Sequence, residues 1–177
     1  MREDDSGHSR FQRLASELIS RGVRFVVIGV AGANYFSTGG GTLFTTEDRD
    51  LFLPPDSKNL LRAWEAGEAA GLSLWSGNEH LDTPHDQFVA DAVVARRALV
   101  RASDSAGLQV DFTLVMGGFD FETVWNERRT FVVNGVPIPV ARLSHIIQSK
   151  AAAGREKDRL FLATHAEALK QLLGDKY

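Results

Sequence analysis

TTEDRDLFL, residues 45–53, is the stretch on which the fold turns. Asp48 and Asp50 stand two residues apart and run into Leu51, Phe52 and Leu53, which Pro54, Pro55 and Asp56 then stop. Large apolar residues bounded by prolines predict a short strand. On an extended backbone, residues i and i+2 share one face, so both aspartates would reach one cation. The other reading is a solvated, charged turn entering a buried strand, and the stretch alone leaves both open.

Upstream, Phe11, Leu14, Leu18 and Ile19 recur at helical spacing, and Gly22 ends the pattern. RFVVIG, residues 24–29, predicts a buried strand, and GVAGAN, residues 29–34, leads out of it into a helix start where backbone N–H groups can meet an anion. The three glycines of STGGGTLF, residues 37–44, predict a flexible loop. Downstream, Asp56 is a good N-cap for an amphipathic helix with Leu60, Leu61, Trp64 and Ala69 on one side. LSLWS, residues 72–76, predicts a strand, residues 77–87 a polar loop, and FVADAVVARR, residues 88–97, a helix. ALVRAS and LQVDFTLV flank DSAG as a hairpin. TFVV and VPIPV are joined by Asn134-Gly135, a second hairpin, with Pro137 and Pro139 confining its second arm to a sheet edge. Two helices follow, SHIIQSKAAAG and EKDRLFLATHAEALKQLLG, each closed by a glycine. The sum is one α+β domain over residues 1–177: a mixed, twisted β-sheet flanked by helices, with residues 1–8 frayed and residues 142–177 a C-terminal helical segment.

Composition narrows the chemistry. A chain of 177 residues is long enough to bury about two thirds of its unfolded surface, and 44% hydrophobic residues supply an ordinary core. With no cysteine, disulfides, thiolate metal sites and cysteine nucleophiles are excluded together. No window approaches the roughly 18 consecutive apolar residues of a membrane span, and MREDDSGHSR is too polar for a signal peptide, so a cytoplasmic location without membrane contact is expected. The net charge of −3 gives no global electrostatic reason to bind nucleic acid.

Asp111 is the lone acid within VDFTLVM, and a carboxylate in such a strand is costly to bury unless it is paired or binds a metal. It can pair with Arg101 across the hairpin, lie on the solvent face, or join Asp48 and Asp50. Three carboxylates on neighbouring strands form a hard oxygen set suited to Mg²⁺ or Mn²⁺. His80 and His85, with Glu79, Asp82 and Asp86 nearby, are read as a solvated loop rather than a transition-metal site. Trp64 and Trp75 are read as core, and Trp125 as a helix packing residue.

A glycine-ended strand, a carboxylate pair opening a second strand and a lone carboxylate in a later strand form an ordered pattern. In it the chain resembles the nucleotidyltransferase superfamily, in its small bacterial branch related to the DNA polymerase beta fold. The resemblance rests on FVVIGV at 25–30, TEDRDLFL at 46–53, LQVDFTL at 108–114 and VPIPVARLSHIIQSKAAAGREKD at 136–158. It extends to toxin components of abortive-infection and toxin–antitoxin systems. The resemblance implies a nucleotidyltransferase-like fold and a Mg²⁺-dependent transfer of a nucleotide from an NTP, ATP among them, to a hydroxyl on RNA, a protein or a small molecule. It would make Asp48, Asp50 and Asp111 both catalytic residues and metal ligands. Gly29, Val30, Thr46 and Lys150 would meet the nucleotide, and an antitoxin chain would be the partner.

Two positions depart from the family pattern. Val30 is β-branched where the family has a second small residue, although a shifted alignment lets Gly32 serve. Phe44 stands where relatives carry a basic residue. A catalytically altered binding or partner module of the same fold is therefore the alternative function, and an unrelated α+β domain with purely structural acids is the third. Lys150 can equally complement a helix dipole, and Arg155, Lys157 and Asp158 are read as an ion-pair cluster between the last helices.

Overall fold

A computed structural model describes residues 7–37, 44, 48–82 and 85–174. Among the described residues the first element is α1 (Gly7–Ser20), whose Phe11, Leu14, Ala15 and Leu18 are buried, and Gly22 then turns the chain at a φ of 67°. After it come β1 (Val26–Ile28), the six-residue α2 (Gly29–Asn34), β2 (Asp48–Phe52) and α3 (Ser57–Ala69). Asp56 caps α3 by accepting hydrogen bonds from the backbone N–H groups of Lys58 and Asn59, as the sequence implies. The chain continues through β3 (Ser73–Ser76), β4 (Glu79–His80), α4 (Gln87–Arg96), β5 (Val100–Ser103) and β6 (Gln109–Thr113). It closes with α5 (Phe121–Asn126), β7 (Arg129–Val133), β8 (Val136–Val140), α6 (Leu143–Ala153), α7 (Glu156–Thr164) and α8 (Ala166–Gly174).

All the strands join one mixed sheet in the order β4-β3-β5-β6-β2-β1-β8-β7. The pairs β2–β6 and β1–β8 are parallel, and the others are antiparallel. Alternation along the strands divides the sheet into two faces. Leu51, Leu74, Val100, Ala102, Val110 and Phe112 are buried. They lie on the face covered by α1 and α3: the guanidinium of Arg49 sits over the Phe11 ring, and Gly67 of α3 packs against Leu74 and Phe112. Asp48, Asp50, Arg101, Gln109 and Asp111 alternate with these residues and so occupy the other face. There α2 packs against α6, and the rings of Phe52 and Phe121 meet 5.4 Å apart.

Five expectations are corrected. β8 is not an edge strand, because it lies between β1 and β7. The two-residue turn at Asn134 and Gly135 pairs Val133 with Val136, which places Pro137 and Pro139 at positions that need no N–H toward β7, and the β1 ladder reaches β8 only at Val140. On α3, Leu61 is half-buried and Ala69 exposed, while Ala63, Ala66 and Gly67 face the core. The stretch after Ser76 is not wholly a polar loop: β4 pairs with β3, and His85 tucks its ring 5.3 Å from that of Trp64 while bonding Glu68 at 2.8 Å. Trp75 is half-buried, with its ring 5.0 Å from that of His80. The last predicted helix is two, α7 and α8, broken at His165, whose ring turns inward onto Phe44 and Phe161.

Gly32 fixes α2 in place, because a Cβ there would stand 2.9 Å from the Val27 carbonyl oxygen and 3.0 Å from Ile146 Cδ1. The backbone contact cannot yield as a side chain would. Gly32→Ala is expected to cost about 1–3 kcal/mol, measured by urea unfolding with an unchanged m-value.

Candidate functional site

The register of the sheet builds the site. Asp50 is the parallel partner of Asp111, Asp111 is the antiparallel partner of Arg101, and Arg101 is that of Trp75. One row across four strands therefore reads Asp50, Asp111, Arg101, Trp75. Asp48 lies two residues before Asp50 on the same face, with Gln109 beside it. Adjacent strands are about 4.8 Å apart, so neighbouring carboxylates in such a row repel unless a cation intervenes.

That repulsion registers at Asp50. Burial pushes its carboxyl above the ordinary carboxylate range, and the charges of Asp111 and Asp48 push it further; Lys150 and Lys157 pull it partly back. Asp111 is buried at 8% exposure and is held by Arg101, whose Nε donates to Oδ1 at 2.8 Å and whose Nη2 donates to Oδ2 at 3.1 Å. The guanidinium is held in its charged form first by that hydrogen bonding and also by the charges of Asp111, Asp48 and Asp50. The salt bridge that the sequence offered as an alternative for Asp111 is thus formed, and on the same face as the other two acids.

Gly29 adopts a φ of 69°, and a Cβ at that position would lie 3.0 Å from Asp50 Oδ2. The glycine is required both by its backbone conformation and by the close carboxylate. Val30 is half-buried against the core and brings no polar group. Gly32 serves the packing of α2 on β1 and α6. Thr46 lies outside the described residues.

The cationic border comes from the C-terminal helices. Lys150 of α6 is mostly buried at 14% side-chain exposure, places its Nζ 3.4 Å from Asp158 Oδ1 and stands 4.8 Å from the Phe161 ring centre. Arg155 donates to Asp158 at 2.7 Å. Of the expected ion-pair cluster, Arg155 and Asp158 are paired, with Lys150 added and with Asp158 only 1% exposed. Burial alone would raise the Asp158 carboxyl, but hydrogen bonding from Arg155 and the Lys150 charge hold it below the ordinary range. Lys157, read from sequence only as a member of that cluster, adds its charge to the surroundings of Asp50. Its place two residues after Arg155, on a helix that folds back beside α6, gave no sequence signal of this.

The three acids suit a hard divalent cation in donor chemistry, and the excess negative charge at Asp50 is what such an ion would relieve. Among the described residues, however, no three His, Cys, Asp or Glu side chains stand arranged to hold a metal ion. Asp111 has both oxygens on Arg101. Asp48 and Asp50 share one face of β2, and Asp111 would join them on a cation only on leaving Arg101. A groove of about 330 Å³ lies elsewhere, bordered by Val23, Arg24, Trp125 and Arg128, and none of the acids lines it.

Two outcomes follow from these electrostatics. Asp50→Asn removes the crowded charge and is expected to raise the melting temperature at neutral pH without divalent cations, by roughly 2–4 °C per kcal/mol of repulsion relieved. A differential scan in EDTA reads this. Asp158→Asn strands Lys150 and Arg155 and is expected to cost about 3 kcal/mol. Because the folded carboxyl of Asp158 is depressed, its contribution is complete above the ordinary carboxylate value of about 3.9 and is lost as pH falls through the folded value. The stability gap between Asp158→Asn and wild type should accordingly be full at pH 7 and shrink below about pH 4.

No protein-family model matches the sequence, and no curated protein matches it. Among solved structures, the chain is similar to the antibiotic-resistance factor ANT(2'')-Ia, an aminoglycoside nucleotidyltransferase, with a TM-score of 0.55 and 14% sequence identity. The similarity covers 93% of this chain and 87% of that one. The fold is a nucleotidyltransferase-like one: a twisted mixed sheet with flanking helices and a C-terminal helical segment. No helix among the described residues is long and apolar enough to cross a membrane.

Proposed function

We propose that this chain is a nucleotidyltransferase that moves a nucleotide from an NTP to an acceptor hydroxyl with a divalent cation. The observation that carries the reading is the row in which Asp50 stands in register with Asp111, with Asp48 on the same face, on a fold similar to that of a nucleotidyltransferase. Asp48 and Asp50 would hold Mg²⁺ or Mn²⁺, which would neutralise charge on the triphosphate and make pyrophosphate a better leaving group. Lys150 and Lys157, whose charges already act on Asp50, would draw the phosphates toward it. Gly29 leaves the backbone bare beside the Asp50 carboxylate, where a side chain would crowd an incoming phosphate. Asp111, once freed, would accept the proton of the acceptor hydroxyl as its oxygen bonds to the α-phosphorus and the bond to pyrophosphate breaks.

The acceptor lies on RNA, a protein or a small molecule, and the assay separates these. The purified chain is incubated with each α-labelled NTP and Mg²⁺ against three acceptor pools: cellular RNA, cellular protein and aminoglycosides. Label should move to one pool and be lost in Asp50→Asn. The resemblance to toxin components adds a second readout: expression of wild type should arrest growth, Asp50→Asn should not, and a co-expressed antitoxin should relieve the arrest. Transfer that survives Asp50→Asn would refute the assignment.

The hold of Arg101 on Asp111 favours one other reading, a binding module of the same fold that has set catalysis aside. Such a module would show an NTP-dependent rise in melting temperature with no label transfer to any pool.

A further inference from the structure

The acid row contains its own cation. Arg101 and Asp111 are cross-strand partners, bonded through two guanidinium nitrogens, Nε and Nη2, to both carboxylate oxygens. The two ends of this pair differ in freedom. Asp111 is fixed in the strand at 8% exposure, whereas the Arg101 side chain is 40% exposed and carries a flexible stem. One guanidinium also faces three carboxylates, because Asp48 and Asp50 act on it as well.

A guanidinium fork matches a carboxylate and a phosphate equally well. Moving from Asp111 to a phosphate would therefore preserve the hydrogen bonds of Arg101 while freeing the Asp111 oxygens. A divalent cation needs those same oxygens and must compete for them.

We infer that Arg101 is a displaceable counter-ion and nucleotide-binding residue: it occupies Asp111 until a divalent cation takes the carboxylate, and it then binds the triphosphate. This rests on the proposed function, since it assigns a role within that same site. Its consequence is coupling. In the free chain Arg101 opposes the metal, and with triphosphate present it supports the complex, so metal and triphosphate each strengthen the other's binding. A merely structural Arg101 would give a loss of both when removed.

The test uses Mn²⁺ titrated onto the full chain and followed by electron paramagnetic resonance, with and without inorganic triphosphate as the phosphate probe. Arg101→Gln should bind Mn²⁺ alone about tenfold more tightly than wild type and should bind triphosphate, at saturating Mn²⁺, about tenfold more weakly. Asp111→Asn added to Arg101→Gln should abolish the gain in Mn²⁺ affinity. Arg101→Lys, which keeps the charge without the fork, should fall between wild type and Arg101→Gln, and it supplies the reading if circular dichroism shows the glutamine variant unfolded. Unchanged or weaker Mn²⁺ affinity in the folded variant overturns the inference, and if Asp50→Asn still loses Mn²⁺ the proposed function stands. Mn²⁺ binding indifferent to Asp50→Asn overturns both.

Discussion

The parallel register that sets Asp50 beside Asp111 is the constraint around which this molecule is organised. A sheet that places two carboxylates side by side, with a third two residues away, must compensate them or lose stability. The compensation is visible on each side. Arg101 takes Asp111 from the next strand, Lys150 and Lys157 lower the energy of the Asp50 charge from the C-terminal helices, and Gly29 leaves space where any other residue would press on the Asp50 oxygen. Residues from α2, β5, α6 and α7 thus converge on one pair of strand positions.

Such a concentration is tolerable because the sheet is two-faced. Leu51, Val110, Phe112, Val100 and Ala102 secure β2, β6 and β5 from below on the face covered by α1 and α3. Burial of several large side chains at about 1.5–3 kcal/mol each outweighs the repulsion above. The apolar contacts with α1 and α3 and the acid row reside on opposite faces of the same strands.

Much of this was legible in the sequence, for reasons particular to the residues. LFL after the aspartates and VDF within β6 announce strands through apolar, period-two composition, and the i, i+2 spacing of Asp48 and Asp50 fixes their common face. Asp56, Gly22 and Asn134-Gly135 announced a cap, a stop and a turn through local chemistry. What stayed hidden was strand order. Nothing local says that β6 inserts beside β2 or that β8 lies between β1 and β7, because pairing is decided by long-range packing. The prolines of β8 misled, since their missing N–H groups bar a strand from the interior only where a neighbour needs those donors. His85 misled in the opposite direction: a histidine in a run of polar residues found a buried place because Glu68 was there to bond it.

Phe44 shows why the sequence departures do not bear on the acids alone. Read against a family pattern it is a missing positive charge, but in the fold it is 1% exposed, and its backbone is bonded in both directions by the Asn34 side chain at 2.9 Å. Its ring meets Phe161 at 5.2 Å and His165 at 4.7 Å. Phe161 also carries the Lys150 ammonium over its face. Phe44 therefore joins the end of α2 to the helices that bear Lys150 and Lys157. An arginine there could not keep the same buried ring contacts without bringing an unpaired charge into the aromatic cluster. The positive charge that acts on Asp50 comes from Lys150 of α6 and Lys157 of α7, and the buried aromatic at position 44 packs on Phe161 and His165 beside them.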